Sequence, residues 1–407
     1  MDITTVKQQF PIFSKHPELA YLDSAATALK PASVIAAEMN YYEEYSANIA
    51  RGIYPMAEQA TLAFEGARTK VARFLNAHRP EEIIFTAGTT ASLNLAARLL
   101  ATHINPGDNI VVTALEHHSN LLSWKELSKE RGATLRVIPV NEEGLLDTES
   151  ASQLIDNQTK IVAFSAVSNV VGVINPVQEI IASVKKINSD VVTIVDAAQA
   201  VGHLPVDVRA WDADFVAFSG HKIYGPTGIG VLYGKFALLE TLRPVAFGGG
   251  MVLDACAKET LYKEVPARFE AGTPNIAGII GLGAAIDFIE DIGVKAIHTH
   301  EQTLITYALK RLKTEFGHDL TIIGKSDILQ KSSIISFTLT GVHPHDVAQL
   351  LGEQSICVRA GLQCAAPLHE SLNLSATTRI SLALYNTEDD IEKLIVALKK
   401  IRTTFSL

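Results

Sequence analysis

Between Glu82 and Gly234 the chain repeats one rhythm, a short β-branched run followed by a stretch with apolar residues every three to four positions. This alternation limits the fold more than any other feature. The runs are Ile83-Ile84-Phe85, Ile110-Val111-Val112, Leu135 to Pro139, Ile161 to Phe164, Val191 to Val195, Phe215 to Phe218 and Gly230 to Tyr233. Thr89 to His103, Leu121 to Arg131 and Pro176 to Ile187 have the helical spacing that crossover connections need. The pattern predicts an α/β fold with a mostly parallel sheet. After Gly248-Gly249-Gly250 and a long helix pattern ending near Gly293, the rhythm changes to a helix (Ala296 to Phe316) and strands (Leu320 to Ile323, Ile334 to Leu339). A helix, a strand and a last helix (Glu388 to Arg402) follow. That predicts a second, smaller α+β domain.

Charge and composition remove several classes of function. With 407 residues, 35 Lys and Arg against 44 Asp and Glu, a net charge of −9 and no basic run, the chain lacks the clustered cations that nucleic-acid binding requires. Met1 to Phe13 has no apolar core behind a basic start, so no secretory signal is read and a cytoplasmic protein is expected. Ile276 to Ile289 is shorter than the ~20 residues that span a bilayer and carries Asp287. It is expected to be a buried helix and not a membrane segment. Cys256, Cys357 and Cys364 form neither a disulfide framework nor a Cys-x-x-Cys pair.

Ligands of doubly wound sheets sit beyond the carboxyl ends of the strands, so the polar residues found there carry the functional signal. Phe85-Thr86-Ala87-Gly88-Thr89-Thr90 ends a strand and opens a helix with two hydroxyls, which suits a phosphate and is equally the form of a simple N-cap. Glu116-His117-His118-Ser119-Asn120 and Ser168-Asn169 end later strands. The His pair lacks a third ligand at a recognisable spacing, so no metal is expected. Val191 to Val195 stops at Asp196, followed by Ala197-Ala198-Gln199, a carboxylate at a strand mouth or a helix cap. Phe215 to Phe218 runs into Ser219-Gly220-His221-Lys222, where a lysine crowded by Gly and Ser is a candidate for the low-pKa amine of Schiff-base chemistry. Acid, lysine, phosphate-type helix start and a His able to stack on a ring together point to pyridoxal 5'-phosphate.

Three blocks make the sequence resemble the cysteine desulfurase and selenocysteine lyase family of class V aminotransferase-like proteins, in its SufS/CsdA type. They are Ser219 to Gly230, Phe269-Glu270-Ala271-Gly272-Thr273-Pro274-Asn275, and Arg359-Ala360-Gly361-Leu362-Gln363-Cys364-Ala365. The likeness runs from Phe10-Pro11 to Tyr385-Asn386-Thr387. It implies fold type I of the pyridoxal phosphate enzymes, with a large cofactor domain over 21–293, including a seven-stranded sheet, and a small domain built from 1–20 and 294–407.

By that resemblance Lys222 carries the cofactor aldehyde, His117 stacks on the ring, Asp196 pairs with the ring nitrogen and Gln199 approaches the ring oxygen. Thr89, Thr90, Ser219 and His221 hold the phosphate, and Thr273 reaches it across a homodimer interface. Arg379, helped by Asn169, binds the carboxylate of L-cysteine. Cys364 is the nucleophile that takes the sulfur as a persulfide and passes it to a SufE/CsdE-like acceptor. Arg359, five residues upstream of Cys364, is the expected cation that favours its thiolate. Two departures stand out: relatives carry His where this chain has Ala50 and Gln363. They leave selenocysteine lyase, another eliminating lyase or a low-turnover binding homologue as alternatives.

Overall fold

The computed structural model describes residues 2–256, 259–325 and 330–405. The seven β-branched runs form one sheet, in the order Ile83–Thr86, Gly230–Gly234, Phe215–Ser219, Val192–Asp196, Thr159–Ser165, Asn109–Thr113, Thr134–Ile138. Gly230–Gly234 pairs antiparallel with both neighbours, and the remaining pairs are parallel. The central strands are buried along nearly their whole length, as a sheet covered on both faces requires. Helices Thr89–Leu100 and His118–Arg131 lie on one face, and helices Pro55–Phe74 and Ile276–Ile292 pack together on the other. Ile276–Ile292 is buried on most sides, which explains its nearly continuous apolar sequence.

The second sheet is four-stranded and antiparallel, in the order Leu320–Ile323, Ile334–Leu339, Thr377–Ser381, Arg359–Gly361. Val294–Phe316, Pro344–Gly352 and Glu388–Thr404 cover it and share its apolar cluster. The N-terminal segment ties the two sheets together. Ala20–Tyr21 pairs in parallel with Ile356–Cys357, and Asp23 bridges to Ser381. Phe10 packs edge-on against Tyr224, Phe288 and Tyr385, residues drawn from both parts of the chain.

A few elements differ from the sequence expectation. Met1 to Phe13 reads as an alternating segment, whereas Ile3–Gln8 and Pro11–Lys15 are short helices, the first capped by Asp2. The hairpin Val252–Ala255 with Thr260–Tyr262 was not anticipated, because its Leu253 and Leu261 are exposed and follow no buried period. Ser168-Asn169 does not end a strand: the strand stops at Ser165, and Asn169 lies in the loop beyond it.

Candidate active site

Five strand ends and the turn after one of them converge on one edge of the seven-stranded sheet. After Ile83–Thr86 the chain turns through Gly88, at φ +149°, into the helix Thr89–Leu100. This turn lies directly on the neighbouring strand, where a Cβ on Gly230 would stand 2.4 Å from the Cα of Gly88. Only glycine at 230 lets the helix start sit there. Ser219, the last residue of its strand, accepts the Thr89 N–H at 2.7 Å, and the two hydroxyls lie 2.7 Å apart. Thr90 Oγ1 is 2.6 Å from Ser119 Oγ. The outcome is a knot of hydroxyls in front of a helix N-terminus without a side-chain cap.

His117 is the N-cap of His118–Arg131, its Nδ1 accepting the Ser119 N–H at 3.1 Å. Burial, with the charge of Lys222 adding to it, pushes its pKa down to about 4, so the ring is neutral at pH 7. His221 is likewise held near 4, by burial first and then by Lys222 and Lys30. Asp196 ends the middle strand, is buried, and accepts the Ala198 N–H at 2.9 Å. Burial raises its pKa, while Lys222 and that N–H pull the other way. Lys222 closes the short turn Gly220–Lys222, and its enclosure by protein lowers its pKa, opposed by Asp196. Gln199 is buried and gives one N–H to Ala25 O at 2.8 Å.

The opposing wall comes from the four-stranded sheet. Arg379, on Thr377–Ser381, is buried; its Nη1 donates to Asn169 O at 2.9 Å and its Nη2 to Asp23 Oδ1 at 3.3 Å. Its Nε has no hydrogen-bond partner. Burial lowers the pKa of Arg379, and Asp23 counters that. Arg359 grips Asp23 through Nε and Nη2 at 3.2 and 2.8 Å, yet stays exposed. Cys364 is exposed on the turn after Arg359–Gly361. These two walls enclose a cavity of about 610 Å3 lined by Thr89, Thr90, His117, Asn169, Asp196, Gln199, Ser219, His221, Lys222, Arg359, Cys364 and Arg379.

Thr273 stands apart from the other sequence-selected residues. It is exposed and lines a second cavity, of about 590 Å3, together with Ala50, Arg51 and the loop Gly249-Gly250. Nearby, Glu270 is fixed by a two-pronged ion pair with Arg68, at 2.8 and 2.9 Å, and by the Phe85 N–H. This accounts structurally for the acid in the Phe269 to Asn275 block.

Three residues at the site were assigned no role by the sequence reading. Asp23 holds both arginines, and nothing local in Leu22-Asp23-Ser24 signals an anchor 336 and 356 residues away in sequence. Glu116 is buried beneath the strand ends, bonded by Thr113, Asn120 and Ser165, and burial pushes its pKa up to about 7. His118 gives its N–H to Cys364 O at 2.7 Å, and its Nε2 accepts the Ala366 N–H at 3.3 Å. The adjacency of His118 to His117 was the only available hint.

A doubly wound sheet with polar strand ends, closed by a smaller antiparallel domain, is fold type I, the architecture of pyridoxal phosphate enzymes. The family model of class V aminotransferases matches residues 20–394, and the chain belongs to that family. Several full-length relatives are named cysteine desulfurases. A probable cysteine desulfurase from Halalkalibacterium halodurans is 46% identical over 409 residues, covering 100% of this chain and 99% of the relative. The apo structure of the cysteine desulfurase from Thermococcus onnurineus NA1 superposes with a TM-score of 0.93 at 38% identity, covering 98% of this chain and 97% of that one. The cysteine desulfurase CsdA from Escherichia coli gives 0.91 at 37% identity, with 98% of each chain covered.

Proposed function

We propose that the protein is a pyridoxal phosphate-dependent cysteine desulfurase, which converts L-cysteine to L-alanine and leaves the sulfur as a persulfide on Cys364. One observation carries this reading. A single cavity joins an enclosed lysine, a buried strand-end carboxylate, a buried arginine with an unspent N–H, and an exposed thiol.

The residues fit the cofactor. Asp196 is a buried carboxylate whose cost of burial a cationic ring N–H would offset. Thr89, Thr90 and Ser219 offer hydroxyls at a helix start, where a phosphate is favoured. His221, held neutral, adds a donor without charge. His117 presents an uncharged ring suited to stacking. When bound, pyridoxal phosphate supplies an aldehyde that takes the amine of the substrate and a cationic ring that accepts the electron pair of the α-C–H bond.

The chain's own groups do the rest. Arg379, kept in place by Asn169 O and Asp23 and lining the cavity, supplies the cation for the substrate carboxylate. Asn169 fixes Arg379 through its backbone carbonyl and gives one amide N–H to Gln363 O at 2.7 Å, which leaves its second N–H for the substrate carboxylate. Burial lowers the pKa of Lys222 and so favours its basic form, and its Nζ takes the α-proton and later returns a proton to the product. The Cys364 thiolate attacks the substrate sulfur: an S–S bond forms, the C–S bond breaks, and its electron pair stays with the carbon that becomes the alanine methyl. Arg359 flanks that step.

We further propose that Thr273 serves the site of a second copy of the chain, supported by its separation from Lys222 and its place with Ala50 in the second cavity. A SufE/CsdE-like acceptor would dock beside Cys364, where Leu362 is also exposed. The deciding experiment measures L-alanine and sulfide released from L-cysteine by the cofactor-loaded protein with a reductant. Equimolar products are expected. Absence of alanine with the cofactor still held by Lys222 would overturn the assignment.

A further inference from the structure

Gln363 and Cys364 are consecutive non-glycine residues with left-handed backbones, at φ +44° and +57°. L-residues enter that region only when their surroundings impose it. The constraint comes from both sides of the turn. Asn169 Nδ2 holds Gln363 O, and the His118 N–H holds Cys364 O, each at 2.7 Å.

The Gln363 amide is engaged by Thr377. It is buried; its Nε2 donates to Thr377 O at 3.1 Å, and its Oε1 accepts from Thr377 Oγ1 at 2.9 Å. The same hydroxyl lies 3.2 Å from His369 Nε2, and His369 Nδ1 lies 3.0 Å from Ala365 O. His369 is 1% exposed. The Thr377 hydroxyl spends its one proton on Gln363, so a neutral His369 donates to either Thr377 or Ala365 and packs against the other, and these contacts bracket the nucleophile from 363 to 365. Thr377 and Arg379 alternate onto the same side of their strand, so the contacts also link the turn to the arginine that faces the cavity.

An amide suits this place because it offers a donor and an acceptor side by side, one for the carbonyl and one for the hydroxyl of a single residue. A neutral imidazole carries its donor and acceptor on separate edges of the ring and cannot make both bonds to Thr377.

We infer that Gln363, with Thr377 and His369, is a positioning residue: it sets the left-handed turn that presents Cys364 and affects turnover through that turn, not through contact with sulfur. The inference deepens the desulfurase reading, and its kinetic test rests on that reading. On this view the absence of His at 363 does not deprive the sulfur of a base.

The test compares cofactor-loaded wild type with Gln363→Ala, Gln363→His, Thr377→Val and Thr377→Ser. Alanine release, the alkylation rate of Cys364 by iodoacetamide followed on its peptide, and the thermal melt are measured for each. Thr377→Val and Gln363→Ala are expected to lower kcat by about 10- to 100-fold, the scale of an ångström-level misplacement, with KM moving by less than about twofold. Both should also change the alkylation rate by about threefold or more. Thr377→Ser should retain wild-type values, and Gln363→His should lower kcat. A kcat within about twofold of wild type in Thr377→Val and Gln363→Ala overturns the inference, as does a gain in kcat with Gln363→His. If Gln363→Ala fails to fold, the Thr377 pair decides. If no protein releases alanine, wild type included, the desulfurase reading fails and the alkylation rates decide alone: a change in Thr377→Val but not Thr377→Ser upholds the inference, and no change overturns it.

Discussion

One wall of the cavity is made of strand ends from the parallel sheet, the other of a turn and two arginines from the antiparallel one, and they hold their groups by different physics. On the parallel side, Asp196, Ser219 and Lys222 occupy positions set by a sheet buried on both faces, with few hydrogen bonds spent on them. Their environment keeps His117 and His221 neutral and disfavours charge on Lys222 and Asp196. On the antiparallel side, Arg379 and Arg359 depend on one carboxylate, Asp23, and Cys364 depends on bonds to a strained turn. The first wall is pre-organised by packing and prepared for a ligand of opposite charge. The second is held by polar contacts, and those made by the side chains of Asp23 and Asn169 can be removed by single substitutions.

The largest expected effects fall on the reacting atoms, one on each wall. Lys222→Ala should reduce alanine formation by at least about 10³-fold, since it removes the group proposed to move the α-proton. Cys364→Ala should abolish the production of alanine from cysteine in a desulfurase. If turnover of cysteine survives that change, the two walls do not act together and the protein is an eliminating lyase.

Next in size is the contrast between the two acids. Asp23→Ala strands the buried Arg379 and removes the hold on Arg359. Breaking a buried pair of this kind costs about 3–5 kcal/mol. Asp196→Asn, in cofactor-free protein, removes a carboxylate whose burial disfavours its charge, so stability should stay level or rise. Denaturant melts of the two variants check both. Equal losses would mean that the two walls are stabilised alike.

The same division governs how much could be read from the sequence. The central strands were legible because buried parallel strands are continuous β-branched runs, and the residues at or just past the strand ends, Thr89, Asp196, Ser219 and Lys222, inherit their place from the sheet. The antiparallel wall was legible only where a motif marks it, as around Cys364. Asp23 and the Gln363–Thr377–His369 contacts unite residues distant in sequence or short of any periodic pattern. The side-chain direction at 363 follows from a left-handed backbone that composition does not announce.

Acid stability sharpens the comparison on the parallel side. An imidazole whose folded pKa lies below its unfolded value near 6.5 stabilises the protein above pH 6.5, and that contribution is lost as the pH falls through the folded value. His117, held near 4 chiefly by burial, should therefore cost the cofactor-free protein stability between about pH 6.5 and 4. Allowing for its partial exposure, the loss is on the order of 2 kcal/mol. His117→Phe keeps a flat ring and removes the titration, so the acid limb of a plot of melting temperature against pH should flatten. An unchanged limb would place the acid sensitivity elsewhere.

The smallest effect belongs to Arg359, and it tests the antiparallel wall most finely. Arg359 is the cation nearest in sequence to the nucleophile on its side of the cavity, but the side chain is 49% exposed and both of its bonds go to Asp23. A half-solvated guanidinium already neutralised by a carboxylate exerts a screened influence, and exposed pairs are worth about 0.2–1 kcal/mol. Arg359→Ala should thus slow alkylation of Cys364 at neutral pH by no more than about fivefold, the rate equivalent of 1 kcal/mol. A larger loss would show that Arg359 leaves Asp23 to serve the thiolate, and the cation would then belong with the reacting atoms. An unchanged rate would leave the contacts around Gln363 and His118 as the means by which this wall governs its thiol.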